Sequence, residues 1–354
     1  MKIYLKIKTK KGKMKIKKKL KDVDVELFGR ECEPLRRVST AVRIVNAVIR
    51  TILSAALVFC LSSCSVIPGY SEPEDRYIVS AMGFDMKEDT LAVSVQIVDG
   101  EETRVCTGKG ESVWQAMAHI EGADAKQLEI SHCALILMGD SLGASEIKEV
   151  FDYCRKNNDI TVGAKVASTR DAFALLSLGA DGYELLGAIR DSGDGLGFTG
   201  GSRFYEIEEK RSSQSAPVYH LPYFSSDGDI YTVSGLKIYR SDTPLVRLDS
   251  SESAYYMMIK GELVGGSVDY EMNGREESLF VRKCKTDYKT EGDKLYITCR
   301  LDATGNETEK AAEACTDRAQ RLCQELTERY GDIFGLSIEG ETVVKCIAEK
   351  ERGK

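Results

Sequence analysis

Residues 77–98, YIVSAMGFDMKEDTLAVSVQIV, contain two apolar runs separated by a short polar segment. In the second run, apolar residues recur at the period of two that is typical of a strand with one buried face. They are Leu91, Val93, Val95 and Ile97. The run YIVSAMGFD predicts a second strand, with Asp85 to Asp89 forming the turn between them. We therefore predict an antiparallel hairpin, which favours an α+β fold over repeated parallel βαβ units.

Helices and strands alternate after this hairpin. Val113, Ala116, Met117 and Ile120 recur at helical spacing, and the apolar run from Cys133 to Met138 predicts a buried strand. A helix capped by Ser145 follows, with the stripe Ile147, Val150, Phe151 and Cys154. TVGAKVAS then predicts a strand, and DAFALLSL predicts a helix capped by Asp171. The predicted order over residues 65–190 is β-β-α-β-α-β-α.

The second half begins after a glycine-rich segment, DSGDGLGFTGG at 191–201, which is typical of a flexible boundary. GLKIYRS predicts a strand, and SSESAYYMMIKG predicts a helix capped near Ser250 or Ser251. Three further strands precede the longest helix, Glu307 to Tyr330, which ends at Gly331 as at a left-handed C-cap. The tail ETVVKCIAEK predicts a last strand.

These elements predict a multi-domain α+β fold, with mixed and antiparallel sheets packed against helices and one long helix near the C-terminus. The length of 354 residues exceeds that of one ordinary core. The predicted divisions are a basic leader and signal peptide (1–63), a lipidated tether (64–75), an N-terminal α+β domain (76–190), a Gly-rich linker or small middle domain (191–234) and a C-terminal α+β domain (235–354).

The charge of the chain is divided unevenly. Residues 1–50 hold 16 Lys and Arg against 5 Asp and Glu, so the net charge of this leader is +11. Since the whole chain has a net charge of −7, the other 304 residues have a net charge of −18. Nucleic-acid binding depends on clustered basic residues, which the acidic body lacks. The leader is longer than a signal peptide needs; Met14 as the true start and a cytoplasmic positive flank both remain open.

The segment TILSAALVFCL, 51–61, is too short to span a bilayer and has the length of a signal-peptide core. Leu61, Ser62, Ser63 and Cys64 follow as a lipobox, similar to the site where bacterial lipoproteins receive a diacylglyceryl group on the cysteine. We predict lipidation at Cys64. The alternative is an uncleaved anchor of marginal length, extended to Ile67.

The sequence gives little support to catalysis or metal binding. His119, His132 and His220 are isolated, and no CxxC or HExxH pattern occurs. No lysine or threonine follows the glycines of 191–201 in the arrangement of a phosphate loop. A carboxylate pair of the glycosidase type depends on spatial distance and stays open. The eight body cysteines favour buried free thiols over a disulfide framework: Cys106, Cys133, Cys154, Cys284, Cys299, Cys315, Cys323 and Cys346.

An ordered series of motifs from about residue 60 to 340 resembles the Ger(x)C lipoproteins, the C subunits of nutrient germinant receptors of endospore-forming bacteria. The series begins with Cys64, Pro73 to Arg76, and a Gly-hydrophobic-Asp turn within Ser80 to Asp85. It continues through SVQIV, GESVWQAM, ISHCALILMGDSL, EVFDYCRKNNDI and KVASTRDAFALL. In the second half it includes HLPYF, VSGLKIYRSDTPLVRLDSSESAYYMMIKGEL and YGDIFGLSI.

The resemblance implies a non-enzymatic subunit without a cofactor, lipid-anchored at Cys64 on the outer face of the spore inner membrane. Its implied partners are the receptor's A and B subunits. The chain departs from the family at two places: Ser65-Val66 replace its Trp-Asp pair, and its tryptophan-containing closing segment is absent. We therefore expect the last segment of the C-terminal domain to be shortened relative to the family. The alternative is an extracytoplasmic solute-binding lipoprotein, although such chains usually show repeated βαβ units.

Overall fold

The computed structural model describes residues 44–54, 76–100, 102–123, 127–157, 159–196, 202–213, 217–304, 307–337 and 340–349. The chain divides into two compact units, Met1–Tyr70 and Ser71–Lys354. In the first unit, residues 44–54 form a helix (α1) whose side chains are exposed. Of the helices described, none has the length and apolar character needed to cross a bilayer.

The second unit begins with a large sheet and the helices that cover it. Its strands are β1 (Arg76–Lys87), β2 (Thr90–Asp99), β3 (Glu102–Gly110), β4 (Gln127–Glu129), β5 (Leu135–Gly139), β6 (Lys165–Thr169), β7 (Val218–Asp227), β8 (Ile230–Arg240) and β9 (Thr243–Asp249). Its helices are α2 (Val113–Ala123), α3 (Ala144–Lys156), α4 (Ala172–Leu176), α5 (Gly182–Leu196) and α6 (Phe204–Ser213), with a 3₁₀ turn at Ile130–His132.

The strand order in this sheet is β3-β2-β1-β5-β6-β7-β8-β9, with β4 paired to the start of β1. Strands β1, β5, β6 and β7 are parallel neighbours, whereas β1–β2–β3 and β7–β8–β9 are antiparallel. The predicted hairpin is confirmed: Lys87 pairs with Thr90, and Glu88 and Asp89 form the turn with positive φ. The sheet is therefore mixed, as predicted.

Each face of the large sheet contributes to a separate apolar core. One core receives side chains from α2, α3 and α6, including Met117, Phe151 and Ile207. The other receives side chains from α4 and α5, including Leu176 and Leu185, and continues into the last third of the chain. Since strands present alternate residues to opposite faces, the central strands are apolar on both sides.

The last third of the chain forms a second, four-stranded sheet in the order β10-β11-β12-β13. Its elements are α7 (Ser250–Lys260), β10 (Gly266–Met272), β11 (Arg275–Glu291), β12 (Lys294–Thr304), α8 (Thr308–Tyr330) and β13 (Glu341–Ala348). Strand β13 runs parallel to β12, and the long helix α8 packs on β13 and β10. Both the long helix and the final strand were predicted, so the α+β fold class is confirmed.

The predicted cap of α3 is wrong, and the cap of α7 is the residue directly before the predicted Ser250. Helix α3 begins at Ala144 after Gly143, so Ser145 lies within its first turn and its hydroxyl donates to Glu146 Oε1 at 2.7 Å. Helix α7 is capped by Asp249, whose side chain accepts from the Glu252 N–H, while Glu252 accepts from the Asp249 N–H. This reciprocal capping box satisfies two helix-terminal donors, which Ser250 or Ser251 alone would not do.

The elements run across the predicted domain limits at 190/191 and 234/235. Helix α5 continues to Leu196, so the first six residues of the predicted Gly-rich segment belong to this helix. Each glycine inside a helix lowers its stability by about 1 kcal/mol relative to alanine. The burial of Leu185 and Ile189 against the core offsets this cost in α5. Strand β8 spans residue 235, and β7 pairs with both β6 and β8. Of the described residues in 191–234, those of β7 and the first part of β8 thus belong to the large sheet.

Candidate functional site

The predicted lipidation site lies outside the described residues. Leu61, Ser62, Ser63 and Cys64 belong to the segment between α1 and β1. Lipidation at Cys64 stays a prediction.

The parallel strands of the large sheet end at one edge, where three charged residues follow each other across the sheet. Asp85 lies near the end of β1, Asp140 directly follows β5, and Arg170 directly follows β6. Ligands of open α/β sheets often bind outside the carboxyl ends of such strands. This edge is therefore the first place to look for a site.

Asp85 has a structural role at this edge. Its side chain is buried, and its carboxylate accepts hydrogen bonds from the N–H groups of Ala172 and Phe173 at 3.1 Å, at the start of α4. Burial raises the pKa of Asp85, and these two hydrogen bonds oppose that rise. A Cβ atom at Gly139 would overlap the Asp85 carboxylate. Gly83 to Asp85, predicted as a turn, instead lie within β1 and fit against the Gly-Asp end of β5.

Asp140 joins three strands at the same edge. Its Oδ1 accepts from Lys237 Nζ at 2.5 Å, and its Oδ2 accepts from Tyr223 Oη at 2.7 Å. The Lys237 side chain is 11% exposed, whereas that of Asp140 is 37% exposed. Because β5, β7 and β8 each supply one residue, the arrangement holds the sheet edge together and leaves one side of Asp140 in solvent.

Arg247 of β9 lies over this arrangement. Its guanidinium group is 4.1 Å from the centroid of the Tyr223 ring. Its Nη2 donates to Ser225 Oγ at 3.0 Å and to Ser234 Oγ at 3.2 Å. The residue is exposed. We define the Arg247 cluster as Arg247, Tyr223, Ser225, Ser234, Asp140 and Lys237.

The chemistry of the Arg247 cluster is that of binding. Burial raises the pKa of Tyr223, and its hydrogen bond to the Asp140 carboxylate raises it further, so the phenol stays a proton donor at neutral pH. Lysine and arginine offer further hydrogen-bond donors to an acceptor group, whereas the single O–H of Tyr223 is already donated to Asp140. The sequence analysis missed this cluster, because its residues come from β7, β8, β9 and the end of β5. Its one signal was that these residues lie in the blocks of the family resemblance that contain HLPYF, GLKIYRSDTPLVRLD and LILMGDSL.

The three histidines lie far apart in the fold. His119 Nδ1 is 2.6 Å from the Lys109 carbonyl oxygen, and the carbonyl of His132 accepts from Tyr183 Oη. His220 is buried, with Nε2 3.7 Å from Glu262 Oε2. Within the described residues, no group of three or more His, Cys, Asp or Glu side chains could hold a metal ion.

The eight cysteines of the body are free thiols, as the sequence analysis favoured, and six of them are buried. Burial raises the pKa of the Cys133 thiol to about 12 and those of Cys315 and Cys323 to about 11. Because the thiolate is the nucleophilic form, these thiols are unreactive at neutral pH. Their role is packing.

Comparison with known proteins identifies the first part of this unit. Residues 69–179 match the sequence model of the spore germination protein N-terminal domain. The chain carries a spore germination domain. Over residues 69–179, about a third of the chain, this match bears out the resemblance to the Ger(x)C family. No curated protein sequence matches the chain. A solved structure titled "Crystal Structure of the GerBC protein" is similar, with 12% identity, a TM-score of 0.47, and coverage of 76% of this chain and 96% of that one.

Proposed function

We propose that this spore germination protein is the C subunit of a nutrient germinant receptor and acts by contact with partner subunits, without catalysis. The observation that carries the proposal is the match of residues 69–179 to the spore germination protein N-terminal domain. The Arg247 cluster supports it, since its groups are suited to binding. Its partners would be the receptor's A and B subunits.

The proposal includes a lipid anchor at Cys64 and a position on the outer face of the spore inner membrane. The lipobox of Leu61, Ser62, Ser63 and Cys64 directly follows an apolar run of signal-peptide length. A diacylglyceryl group supplies two acyl chains, which anchor a protein stably where one chain binds weakly. No separate function is assigned to the basic leader.

The test compares Cys64→Ala with Cys60→Ala, a cysteine of the same segment outside the lipobox. We expect intact mass to show a diacylated Cys64 in the wild type and in the Cys60 variant. The Cys64 variant should stay folded, leave the membrane fraction, and lose the germination response to one nutrient. Full membrane binding of the Cys64 variant in a strain lacking the A and B subunits would overturn the anchor.

The receptor role is tested separately by deletion. We expect a strain without this gene and without a paralogue to lose its response to one nutrient. Normal germination of that strain would contradict the receptor role. A solute-binding lipoprotein would instead be stabilised by its ligand, by about 2.7 kcal/mol at 100 times the dissociation constant; thermal stabilisation by a small metabolite would favour that alternative.

A further inference from the structure

We propose that the Arg247 cluster docks an acidic segment of a protein partner through the carboxylates of its Asp or Glu side chains. The proposal concerns the folded body alone and does not require the lipid anchor. It names the chemistry of the partner, not its identity.

Arg247 is held in place before any partner arrives. The stacking on Tyr223 and the two serine hydroxyls fix the guanidinium group through contacts at 4.1, 3.0 and 3.2 Å. Ordering a long side chain on binding costs about 0.5–1.5 kcal/mol, and a side chain that is already fixed avoids most of that cost. Arginine and tyrosine are also enriched among the residues that dominate interface energies.

The guanidinium group keeps donors for a further acceptor. Nη2 is engaged by the serine hydroxyls, which leaves the N–H groups of Nε and Nη1. No carboxylate of the described residues forms an ion pair with Arg247. Asp249, two residues along β9, is engaged as the N-cap of α7 through Glu252. A planar guanidinium group matches a carboxylate by two parallel hydrogen bonds.

The cluster's own carboxylate does not compete for Arg247. The two oxygens of Asp140 accept from Lys237 and Tyr223. Arg170 lies close enough to Tyr223 for its charge to lower the pKa of the phenol. Lys237 contacts the Asp140 carboxylate directly, while Arg247 and Arg170 lie near the Tyr223 side chain.

The charge of the whole body makes this local arrangement selective. Residues 51–354 carry −18, derived from the total of −7 and the leader's +11. An acidic segment is repelled by most of such a surface and attracted where cations exceed acids, which favours one docking orientation.

The exposure of the cluster's side chains favours a protein partner over a small ligand. Arg170 and Arg247 are exposed, and the Asp140 side chain is 37% exposed. Small-molecule sites are concave and bury about 70–90% of the ligand surface. An exposed cluster with one fixed arginine instead suits the side chain of a docking segment.

The experiment measures the anisotropy of a fluorescein-labelled hexaglutamate peptide with the full chain in detergent micelles. We expect saturable binding that weakens as salt rises. Arg247→Gln should weaken it at least tenfold. Arg247→Lys should weaken it nearly as much, because a lysine keeps the charge but lacks the planar fork.

The matched control is Arg329→Gln on α8, an arginine whose side chain is 65% exposed and pairs with Glu325. It should bind hexaglutamate like the wild type. Circular dichroism melting of each variant checks that the fold is retained. Absence of binding, or equal binding by the wild type and a folded Arg247→Gln variant, would overturn the proposal. So would displacement of the peptide by free glutarate at equal carboxylate concentration, since that result assigns the site to a small molecule.

Discussion

Gln320 of α8 bonds to Val344 of β13 as a neighbouring strand would, its Oε1 accepting from the Val344 N–H at 2.6 Å. The same side chain donates from Nε2 to the Thr342 carbonyl at 2.9 Å. One turn earlier, Thr316 Oγ1 accepts from the Cys346 N–H at 2.9 Å. The outer edge of β13 is thus closed by helix side chains, which removes a site where another chain could add a strand.

Replacing Gln320 by alanine should destabilise the protein by about 1–3 kcal/mol, because it leaves the Val344 N–H and the Thr342 carbonyl without their partner. The measurement is urea denaturation at pH 7. Gln324→Ala is the control, since Gln324 is exposed one turn further along the same helix. It should change stability by less than about 0.5 kcal/mol. Equal effects of the two substitutions would contradict the bonding role.

Asp85→Ala should lower the free energy of unfolding by about 2 kcal/mol, because the N–H groups of Ala172 and Phe173 lose their acceptor at the start of α4. Asp85→Asn should cost less, since the amide keeps one oxygen. Hydrogen exchange at these two amides measures the effect locally. If their protection is unchanged in the alanine variant, the carboxylate does not hold α4.

Gly139 and Asp85 should be coupled in a double-mutant cycle. Gly139→Ala alone should be destabilising, because its Cβ would overlap the Asp85 carboxylate and approach the Phe84 carbonyl at 2.9 Å. In the Asp85→Ala background the overlap with the carboxylate is absent, so the loss of stability caused by Gly139→Ala should fall by roughly half. If the effects of the two substitutions on stability simply add, Asp85 and Gly139 do not depend on each other.

Glu262 should make part of the stability depend on pH. Burial acts to raise its pKa, but the charge of Lys260, followed by those of His220 and Lys210, brings it below the ordinary 4.5. A depressed pKa in the folded state stabilises the protein above pH 4.5, and this contribution is lost as the pH falls through the folded pKa.

Glu262→Gln should therefore cost about 2 kcal/mol at pH 7, since it leaves nearby cations without their carboxylate. The difference from the wild type should shrink steadily below pH 4.5. Glu325→Gln is the control, because this side chain is 54% exposed beside Arg329 and should have little effect at any pH. Urea denaturation from pH 3 to 8 measures the stability of both variants. A difference between Glu262→Gln and the wild type that grows towards low pH would contradict the prediction.

A chain ending at Gly179 should not fold cooperatively, although the matched family domain ends there. Such a chain lacks β7, which pairs with β6, and α5, whose Leu185 is fully buried. Residues 76–179 should aggregate or lack a sharp urea transition, whereas 76–354 should unfold cooperatively. A monomeric 76–179 fragment with a sharp transition would contradict this prediction.

Much of the fold could be predicted from the sequence because its elements carry strong local patterns. The alternation of Leu91, Val93, Val95 and Ile97 identified β2, and the apolar stripe of α8 identified the long helix. The polar edge strand β3 shows no such alternation of apolar and polar residues. Strand β7 contains Pro222, which argues against a strand; the structure places it beside a β-bulge at Tyr223.

The Arg247 cluster could not be predicted for a different reason. Its residues come from β7, β8, β9 and the end of β5, so their proximity depends on strand order, which local patterns do not encode. Asp85 and Gly139 show the same limit: each motif was recognised, but their fit across two strands required the register of β1 and β5.

The pairing of β1 has a mechanical consequence. This strand is the first described element of the second unit, and it is bonded to β2 on one side and to β4 and β5 on the other. Its hydrogen bonds lie across the strand direction, so a force pulling on Arg76 along the strand would load them in shear, all together. Edge strands can be peeled bond by bond, whereas β1 cannot. Tension on the preceding chain would therefore move the body as one piece before it unravelled any part.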